Sequence, residues 1–396
     1  MTGRGKKKWE PEAVRGPVDG RLTGLVFLLL GFGLVMVYSS SSVLSMIQFG
    51  TSTAFFTSQA AKAVVGVVAM LVVARLDYRI WARLAKPLVW VSFVMLIVLA
   101  VPVATSFTPE VNGARRWIAL PGLSFQPLEI AKLAMVVWIA ATIARKGEKL
   151  DRFSEGVAPL ILLPLAMAGL LLFQPDFKGA SLLLVLAWTM LFLGGVKIKH
   201  LAGMAAAGVP AGIAVLVLEP YRLNRIAAFF DRGTDLDGVS YQINQSLISL
   251  GSGGWFGVGL GSSKQKFAFL PAAHNDFIFS IVGEELGVLG TMFVLCAFLW
   301  FGWIGFRIAR RAPDAFGFLL ASGITTLILT AALVNIGVAT AALPTTGLTL
   351  PFISYGGTSL IVQLVAAGIL MSVSRDALEE PPGRAGDRAG TGRRGG

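Results

Sequence analysis

The chain has 396 residues, of which 55% are hydrophobic and only 14% are charged, and its mean hydropathy is +0.72. A water-soluble domain of this composition would expose large apolar patches, so the composition excludes an ordinary soluble protein. A single cysteine, Cys296, excludes an intramolecular disulfide and a cysteine-based metal site.

Ten segments are apolar enough to cross a bilayer as helices, each near the roughly 20 residues that a span requires. In chain order they are residues 22–40, 54–74, 84–103, 127–144, 157–173, 179–195, 201–218, 277–306, 316–342 and 357–373. The sequence therefore predicts an all-α polytopic membrane protein with ten transmembrane helices and a long extracytoplasmic loop, residues 219–275, between the seventh and eighth helices. We predict one membrane domain over residues 22–375, a basic cytoplasmic tail before it (1–21) and a disordered cytoplasmic tail after it (376–396).

The distribution of basic residues predicts the orientation. If the amino terminus is cytoplasmic, the tails and inner loops contain 24 of the 34 Lys and Arg residues, whereas the outer segments contain 8. Short loops rich in Lys and Arg remain in the cytoplasm, so both termini are predicted to lie on the cytoplasmic side of the membrane. This anchoring explains most of the net charge of +12, and a nucleic-acid partner is not needed.

Charged residues in the first half of the chain are candidates for ligand binding. Arg115 and Arg116 lie in an outer connection, against the charge bias, and their planar guanidinium groups suit phosphate or pyrophosphate; anchoring to lipid headgroups is the alternative. Glu129 and Lys132 are spaced i, i+3 on one helical face, so their opposite charges can neutralise each other within the membrane. Together with Lys62 they are expected to face the interior of the bundle or a wet cavity.

Acidic residues mark the starts of two later spans. We expect Asp176 to cap the helix that follows it, because a carboxylate satisfies free backbone N–H groups there. Asp276 follows His274 at the lip of the eighth span, where an unused carboxylate would be costly, so Asp276 is the main candidate for chemistry. Glu284 and Glu285 are interpreted as structural or gating residues.

The glycine-rich stretch 251–261 has neither a P-loop nor a dinucleotide fingerprint. We expect its glycines to let the backbone bend closely over a groove at the membrane surface. His200 and His274 lie on opposite sides of the predicted membrane, which excludes a histidine zinc centre.

Several motifs occur in the order that is typical of one family. They are NGARRWI from 112, FQPLEIAK from 125, QPD from 174, GSGGWFG from 251, HNDFIF from 274, GEELG from 283 and TGLTLPFISYGG from 346. The chain thereby resembles the SEDS family from about residue 22 to 375, and within it the division proteins more than the elongation proteins. It departs from the family pattern with Asn275 in place of Thr, Leu128 in place of Ser, and Phe177-Lys178 in place of Leu-Gly.

The resemblance implies a peptidoglycan glycosyltransferase of the bacterial inner membrane, which polymerises lipid II on the outer face of that membrane. It implies that Asp276 accepts the proton of the attacking 4-hydroxyl group in an inverting displacement, which needs one base. Arginines would stabilise the negative charge of the pyrophosphate leaving group, with or without a divalent cation such as Mg²⁺ or Mn²⁺. The residues expected to bind substrate are Arg115, Arg116, Lys62, Glu129, Lys132, Arg222, Arg225, Arg232 and His274.

Two other classes of function remain open. Charges within a helical bundle are also typical of a lipid II flippase, and a non-catalytic scaffold of the division machinery would need no chemistry. Clustering of the reactive groups on one side favours the enzyme. The partners that we expect are lipid II, a class B penicillin-binding protein that acts as transpeptidase, other membrane proteins of the division machinery, and membrane lipid.

Overall fold

A computed structural model describes residues 16–101, 108–111, 114–120, 123–218, 223, 229, 239–267 and 269–376. The helices in these ranges are α1 (Gly20–Phe49), α2 (Ala54–Arg75), α3 (Arg79–Ala100), α4 (Pro127–Lys146), α5 (Ala158–Phe173), α6 (Phe177–Leu193), α7 (Ile198–Val217), α8 (Val239–Ser252), α9 (Ile278–Arg311), α10 (Ala315–Ala339) and α11 (Gly357–Arg375).

The predicted all-α membrane fold is confirmed. Nine segments in the described part of the chain are long and apolar enough to cross a membrane, and α6, with 17 residues, is a shorter apolar helix in the position of the sixth predicted span. α8 lies within the segment that was predicted only as a long loop. The connection between α3 and α4 contains two short antiparallel hairpins, formed by β1 (Glu110–Val111) with β2 (Ala114–Arg115) and by β3 (Ile118–Leu120) with β4 (Leu123–Phe125).

Aspartates begin three of the helices. The carboxylate of Asp19 accepts hydrogen bonds from the backbone at the start of α1, and that of Asp314 accepts one from Gly317 N at 2.7 Å at the start of α10. Asp176 accepts a hydrogen bond from Gly179 N at 3.1 Å, which confirms its predicted capping role at α6. Each carboxylate satisfies a backbone N–H that the helix itself leaves without a partner.

α4 lies at the centre of the bundle, where it packs against α3, α6, α10 and α11. Most of its length is buried, including the charged Glu129 and Lys132. By contrast, Leu201 is the one fully buried residue of α7, so that helix lies at the periphery of the described bundle. Among the described helices, α2 and α11 have the most extensive contact with each other: a Cβ on Gly368 would lie 2.5 Å from the Met70 carbonyl oxygen.

The end of the bundle opposite Asp276 is held by a charged cluster. Arg79 lies between Asp314, at 3.4 Å, and Asp376, at 3.3 Å, and so connects the starts of α3 and α10 with the end of α11. The hydroxyl group of Tyr78 donates to Asp314 at 2.7 Å. Desolvation and this carboxylate raise the pKa of Tyr78, which stays protonated and can donate at any physiological pH.

α9 is broken close to its start. Gly287 has φ +67° within a helix that is otherwise continuous over 34 residues, longer than a bilayer core requires. The glycine loop, residues 253–261, packs into this break: Val258 N donates to Glu284 O at 2.9 Å and Val288 N donates to Gly254 O at 2.9 Å. A Cβ on Gly257 would overlap the Glu285 backbone, so the glycine lets the loop approach the backbone of α9 closely. The predicted groove at the membrane surface stays a prediction.

Two buried carboxylates, those of Glu284 and Glu285, hold the segment that follows the glycine loop. Glu285 accepts hydrogen bonds from the hydroxyl group of Ser39 on α1, the shorter at 2.6 Å. Glu284 accepts from the hydroxyl group of Ser263 at 2.5 Å and from the backbone of Lys264 at 2.8 Å. These contacts tie α1, α9 and the segment after the glycine loop together, which supports the structural interpretation of both glutamates.

We predict that Gly368→Ala destabilises the protein by about 1–3 kcal/mol, because the new methyl group must push apart the α2 and α11 backbones. Unfolding in detergent would be followed by the loss of monodisperse protein on heating. Gly24→Ala is the matched control, since a Cβ there meets nothing within 4 Å and alanine favours a helix. Equal melting temperatures of the two variants would contradict this account of the packing.

Candidate active site

The tip that carries Asp276 is fixed through three consecutive backbone carbonyl groups. The His274 carbonyl accepts from Tyr355 N at 2.9 Å, and the Asn275 carbonyl accepts from the Ser354 hydroxyl group at 2.6 Å. The Asp276 carbonyl accepts from Nδ2 of Asn335 at 2.9 Å. The tip is therefore held on one side by the 344–356 loop and on the other by α10.

Asn335 is a positioning residue that the sequence reasoning missed. It is 1% exposed in the apolar helix α10, and the same Nδ2 also donates to Leu348 O at 2.6 Å. A buried amide in a membrane helix is itself a signal, because it must find partners. Here it joins the backbone of Asp276 to that of the 344–356 loop.

The side chain of Asp276 lies beside a second charged group, that of Lys178. Nζ of Lys178 donates to the Gly347 carbonyl oxygen at 2.7 Å. A Cβ placed on Gly347 would lie 2.9 Å from Nζ of Lys178 and 3.0 Å from Oδ2 of Asp276. The start of α6, the 344–356 loop and the tip before α9 thus meet around one glycine.

Arg116 is anchored at the start of α6, one turn from Lys178. Its Nη2 donates to the Pro175 carbonyl oxygen at 2.8 Å, and its Nε lies 3.9 Å from Oδ2 of Asp176. Arg115 belongs to β2, where its backbone lies opposite that of Glu110 in β1. The structure therefore brings the arginine pair to the same end of the bundle as Asp276, with Arg116 held to the helix start by protein contacts.

Lys62 and His274 lie in an aromatic cluster with Tyr355 on the far side of the tip. Nζ of Lys62 lies 5.2 Å from the centre of the Tyr355 ring and donates to Ser58 at 2.9 Å. The His274 ring lies 4.9 Å from that of Phe55 and 5.6 Å from that of Tyr355. Burial lowers the pKa of His274 to about 4, so its imidazole is neutral at pH 7 and contributes no positive charge.

Glu129 and Lys132 form the ion pair that their spacing predicts. Lys132 Nζ lies 2.8 Å from Glu129 Oε1, and the two residues are 4% and 7% exposed. The pair faces a cavity with room for about one water molecule, lined also by α10 and by Gln363. Gln363 accepts a hydrogen bond from Phe352 N at 3.0 Å, which connects the pair to the 344–356 loop. Lys62, which the sequence analysis placed in the same network, lies beside Tyr355 instead.

Three predicted arginines, Arg222, Arg225 and Arg232, lie outside the described residues. Within the described residues, no group of three or more His, Cys, Asp or Glu side chains could hold a metal ion. The ammonium of Lys178 donates to the Gly347 carbonyl oxygen next to Asp276. A divalent cation such as Mg²⁺ or Mn²⁺ at this site stays a prediction.

We predict that the Glu129–Lys132 pair braces the bundle. Glu129→Gln or Lys132→Met should cost about 3–5 kcal/mol of stability, since each leaves one buried charge without its partner. The double charge swap Glu129→Lys with Lys132→Glu should recover part of that loss. The measurement is thermal unfolding in detergent, together with the amount of protein in the membrane.

A matched control is the exposed i, i+3 pair formed by Arg152 and Glu155 at 3.2 Å. Glu155→Gln is expected to change stability by less than about 1 kcal/mol, because exposed pairs contribute little. A charge-swapped protein that is as stable as the wild type but fully inactive would assign the pair a direct role in the reaction and contradict bracing alone.

Comparisons with known proteins agree with the motifs. A family model for FtsW, RodA and SpoVE, described as "Cell cycle protein", matches residues 21–379. A probable peptidoglycan glycosyltransferase FtsW from Trichlorobacter lovleyi is 41% identical, over 88% of this chain and 91% of its own length. Stage V sporulation protein E from Bacillus subtilis is 37% identical, over 90% of this chain and 97% of its own length.

Solved structures show the same fold. One match is a chain of a peptidoglycan synthase complex, whose structure concerns the coordination of polymerization and crosslinking. It superimposes with a TM-score of 0.74 and 29% identity, over 92% of this chain and 99% of its own length. The rod shape determining protein RodA of Thermus thermophilus gives a TM-score of 0.67 and 28% identity, over 92% and 98%. By sequence and by fold, the chain is a multi-pass membrane protein that belongs to the FtsW/RodA/SpoVE family of cell cycle proteins.

Proposed function

We propose that this chain is a peptidoglycan glycosyltransferase that polymerises lipid II into glycan strands during septal cell-wall synthesis. The observation that carries the proposal is the Asp276 carboxylate on a tip whose backbone is fixed, with Lys178 beside it and Arg116 at the same end of the bundle, which has few basic loops. Family membership and the names of the relatives support the reaction class. In the proposed orientation, both termini are cytoplasmic and the Asp276 end faces outward.

The reaction needs one base and a place for negative charge. An alcohol is a poor nucleophile until a positioned group accepts its proton, and the Asp276 carboxylate takes that role toward the 4-hydroxyl group of the acceptor sugar. The hydroxyl oxygen attacks C1 of the donor sugar as the bond to pyrophosphate breaks, so the α-linked donor gives a β-1,4 product by inversion. Negative charge accumulates on the departing pyrophosphate.

The cations of this end are suited to that charge. Arg116 contacts the start of α6, Arg115 is its neighbour in the chain, and a guanidinium group can bind pyrophosphate oxygens bidentately. The neutral His274 and the hydroxyl group of Tyr355 lie beside Lys62, where they offer hydrogen bonds without adding charge. We assign these groups to substrate binding, and we assign the Glu129–Lys132 pair to the support of the 344–356 loop.

A lipid II flippase is the second candidate, because charged residues do lie within the bundle. The Glu129–Lys132 pair is neutralised internally and its cavity holds about one water molecule, which is far too small for a disaccharide headgroup. The groups suited to chemistry all lie at one end. These observations favour the polymerase over the flippase and over a scaffold without activity.

We predict that Asp276→Asn lowers polymerisation of lipid II by at least about a hundredfold, because the amide keeps the shape but cannot accept the proton. Purified protein in detergent would be incubated with lipid II and the glycan product resolved by length. No membrane is present in that assay, so polymer reports catalysis and cannot result from flipping.

Asp151→Asn is the matched control, since Asp151 pairs with Lys197 in an exposed contact at the opposite end. It should polymerise at the rate of the wild type. Wild-type rates from a well-folded Asp276→Asn protein would refute the assignment of the base. Failure of the wild-type chain to make polymer under all conditions, with or without partners, would refute the polymerase.

We further propose that the chain works with a class B penicillin-binding protein and with other membrane proteins of the division machinery. The related fold in a peptidoglycan synthase complex supports such an assembly. The lipid-facing side of the bundle offers sites for a partner helix, since peripheral α7 is almost fully exposed. A partner that holds the substrate site in its competent arrangement in advance would remove an entropic cost from substrate binding.

The expected result is that this chain and its cognate penicillin-binding protein co-purify and polymerise lipid II faster together than the chain does alone. Crosslinking would be blocked with a β-lactam, so that only polymerisation is measured. A single-span membrane protein of unrelated function is the control. Equal rates at saturating substrate, with no co-purification, would contradict the partnership.

A further inference from the structure

Lys178 is not among the residues that the sequence predicts to belong to the site. It is the second residue of α6, directly after the Asp176 cap and Phe177. Its side chain is half-buried, and Nζ donates to the carbonyl oxygen of Gly347 at 2.7 Å. The lysine therefore connects the start of one helix to the loop that holds the tip of Asp276.

A lysine in the first turn of a helix is electrostatically unfavourable. The free N–H groups there give the helix start a partial positive charge, which repels a cation. A half-buried ammonium at this position consequently needs acceptors from elsewhere in the fold. The structure provides the Gly347 carbonyl oxygen and, beside it, the Asp276 carboxylate.

Gly347 brings the two charged groups together. Its φ of +66° favours glycine, and a Cβ there would lie 2.9 Å from Nζ of Lys178 and 3.0 Å from Oδ2 of Asp276. The separation of ammonium and carboxylate cannot exceed the sum of these two distances. At such a separation, opposite charges attract appreciably even where water screens them in part.

The backbone of Asp276 is already fixed by Asn335, so what remains free is rotation about the two side-chain bonds. An ammonium that is itself tied to Gly347 restrains that rotation.

We propose that Lys178 is a positioning residue for Asp276, which holds the carboxylate in the orientation that proton transfer requires. This inference rests on the proposed function, in which Asp276 is the base. Lys178 acts through Asp276 and through the 344–356 loop. The reaction itself gains no new group, because the proton still moves from the acceptor hydroxyl group to the carboxylate.

The kinetic test uses Lys178→Met, which keeps the length of the side chain and removes the charge. Its kcat for lipid II polymerisation should fall by about tenfold to a hundredfold, as expected when a reacting group is misplaced, while KM stays within about twofold. Lys178→Arg should restore most of the rate, because it returns a cation to the same place. Lys199→Met, on the exposed start of α7 at the opposite end, is the control for the substitution itself.

Two kinetic outcomes would overturn the proposal. A Lys178→Met protein with wild-type kcat would show that the orientation of Asp276 does not depend on the lysine. A raised KM with unchanged kcat would make Lys178 a contact for lipid II, which is a different role. Activity of the wild type and of Lys199→Met separates either result from a failure of the proposed function.

A second measurement does not depend on activity. A water-soluble carbodiimide activates a carboxylate, and an adjacent lysine amine then displaces the activated group to form an amide, with loss of one water molecule overall. Peptide mapping should find residue 178 joined to residue 276 in the wild type and in Lys199→Met, and no such product in Asp276→Asn. Absence of the product from folded wild-type protein, with other lysine–carboxylate pairs joined, would overturn the proposed contact.

Discussion

The position of the Asp276 carboxylate depends on hydrogen bonds to the backbone of its own tip. Three successive carbonyl groups, from His274 to Asp276, each accept a hydrogen bond from an element that is distant in sequence. Irregular backbone at the end of a membrane bundle has little water to satisfy it, so each of these bonds is costly to lose. The tip, the 344–356 loop and α10 consequently form one rigid unit, and the side chains of the site take their places from it.

The bundle accommodates its interior charges in two ways. Glu129 is neutralised by Lys132 within one helical turn, which needs nothing from the rest of the fold except burial. Glu284 and Glu285 instead accept hydrogen bonds from serine hydroxyl groups and backbone N–H groups of α1, α8 and the segment after the glycine loop. The first arrangement is local and stabilises α4, whereas the second draws separate segments of the chain together around the break in α9.

Much of the fold follows from the sequence because hydropathy acts locally. The long apolar runs became helices near their predicted limits, and the capping role of Asp176 followed from its position before an apolar run. α8 was missed, since its 14 residues lie in a segment that is too polar and too short to be read as a span. The break at Gly287 was missed as well, because the backbone that fills it comes from a different part of the chain.

The sequence singled out Asp276 as the main candidate for chemistry, but it gave no sign of the side chains that the fold brings next to it. Asp276 stood out as a carboxylate at the lip of a span, and family motifs pointed to the same residue. Lys178 looked like a local departure from the family pattern, and Asn335 is a single amide in an apolar helix. Neither signal says which distant loop the side chain will reach, and the convergence at Gly347 is a property of the assembled bundle.

In the proposed orientation, with the Asp276 end facing outward, the neutral His274 has a consequence for cells whose surroundings turn acidic. With a pKa of about 4, its imidazole stays uncharged when the external pH falls from 7 to 5, so the set of cations around Asp276 does not change. Stability does change, because the unfolded chain takes up a proton below about pH 6.5 that the folded chain refuses. At pH 5 this difference amounts to about 2 kcal/mol against the folded state. Acidification would thus lower the stability of the folded protein through His274 and leave that imidazole uncharged.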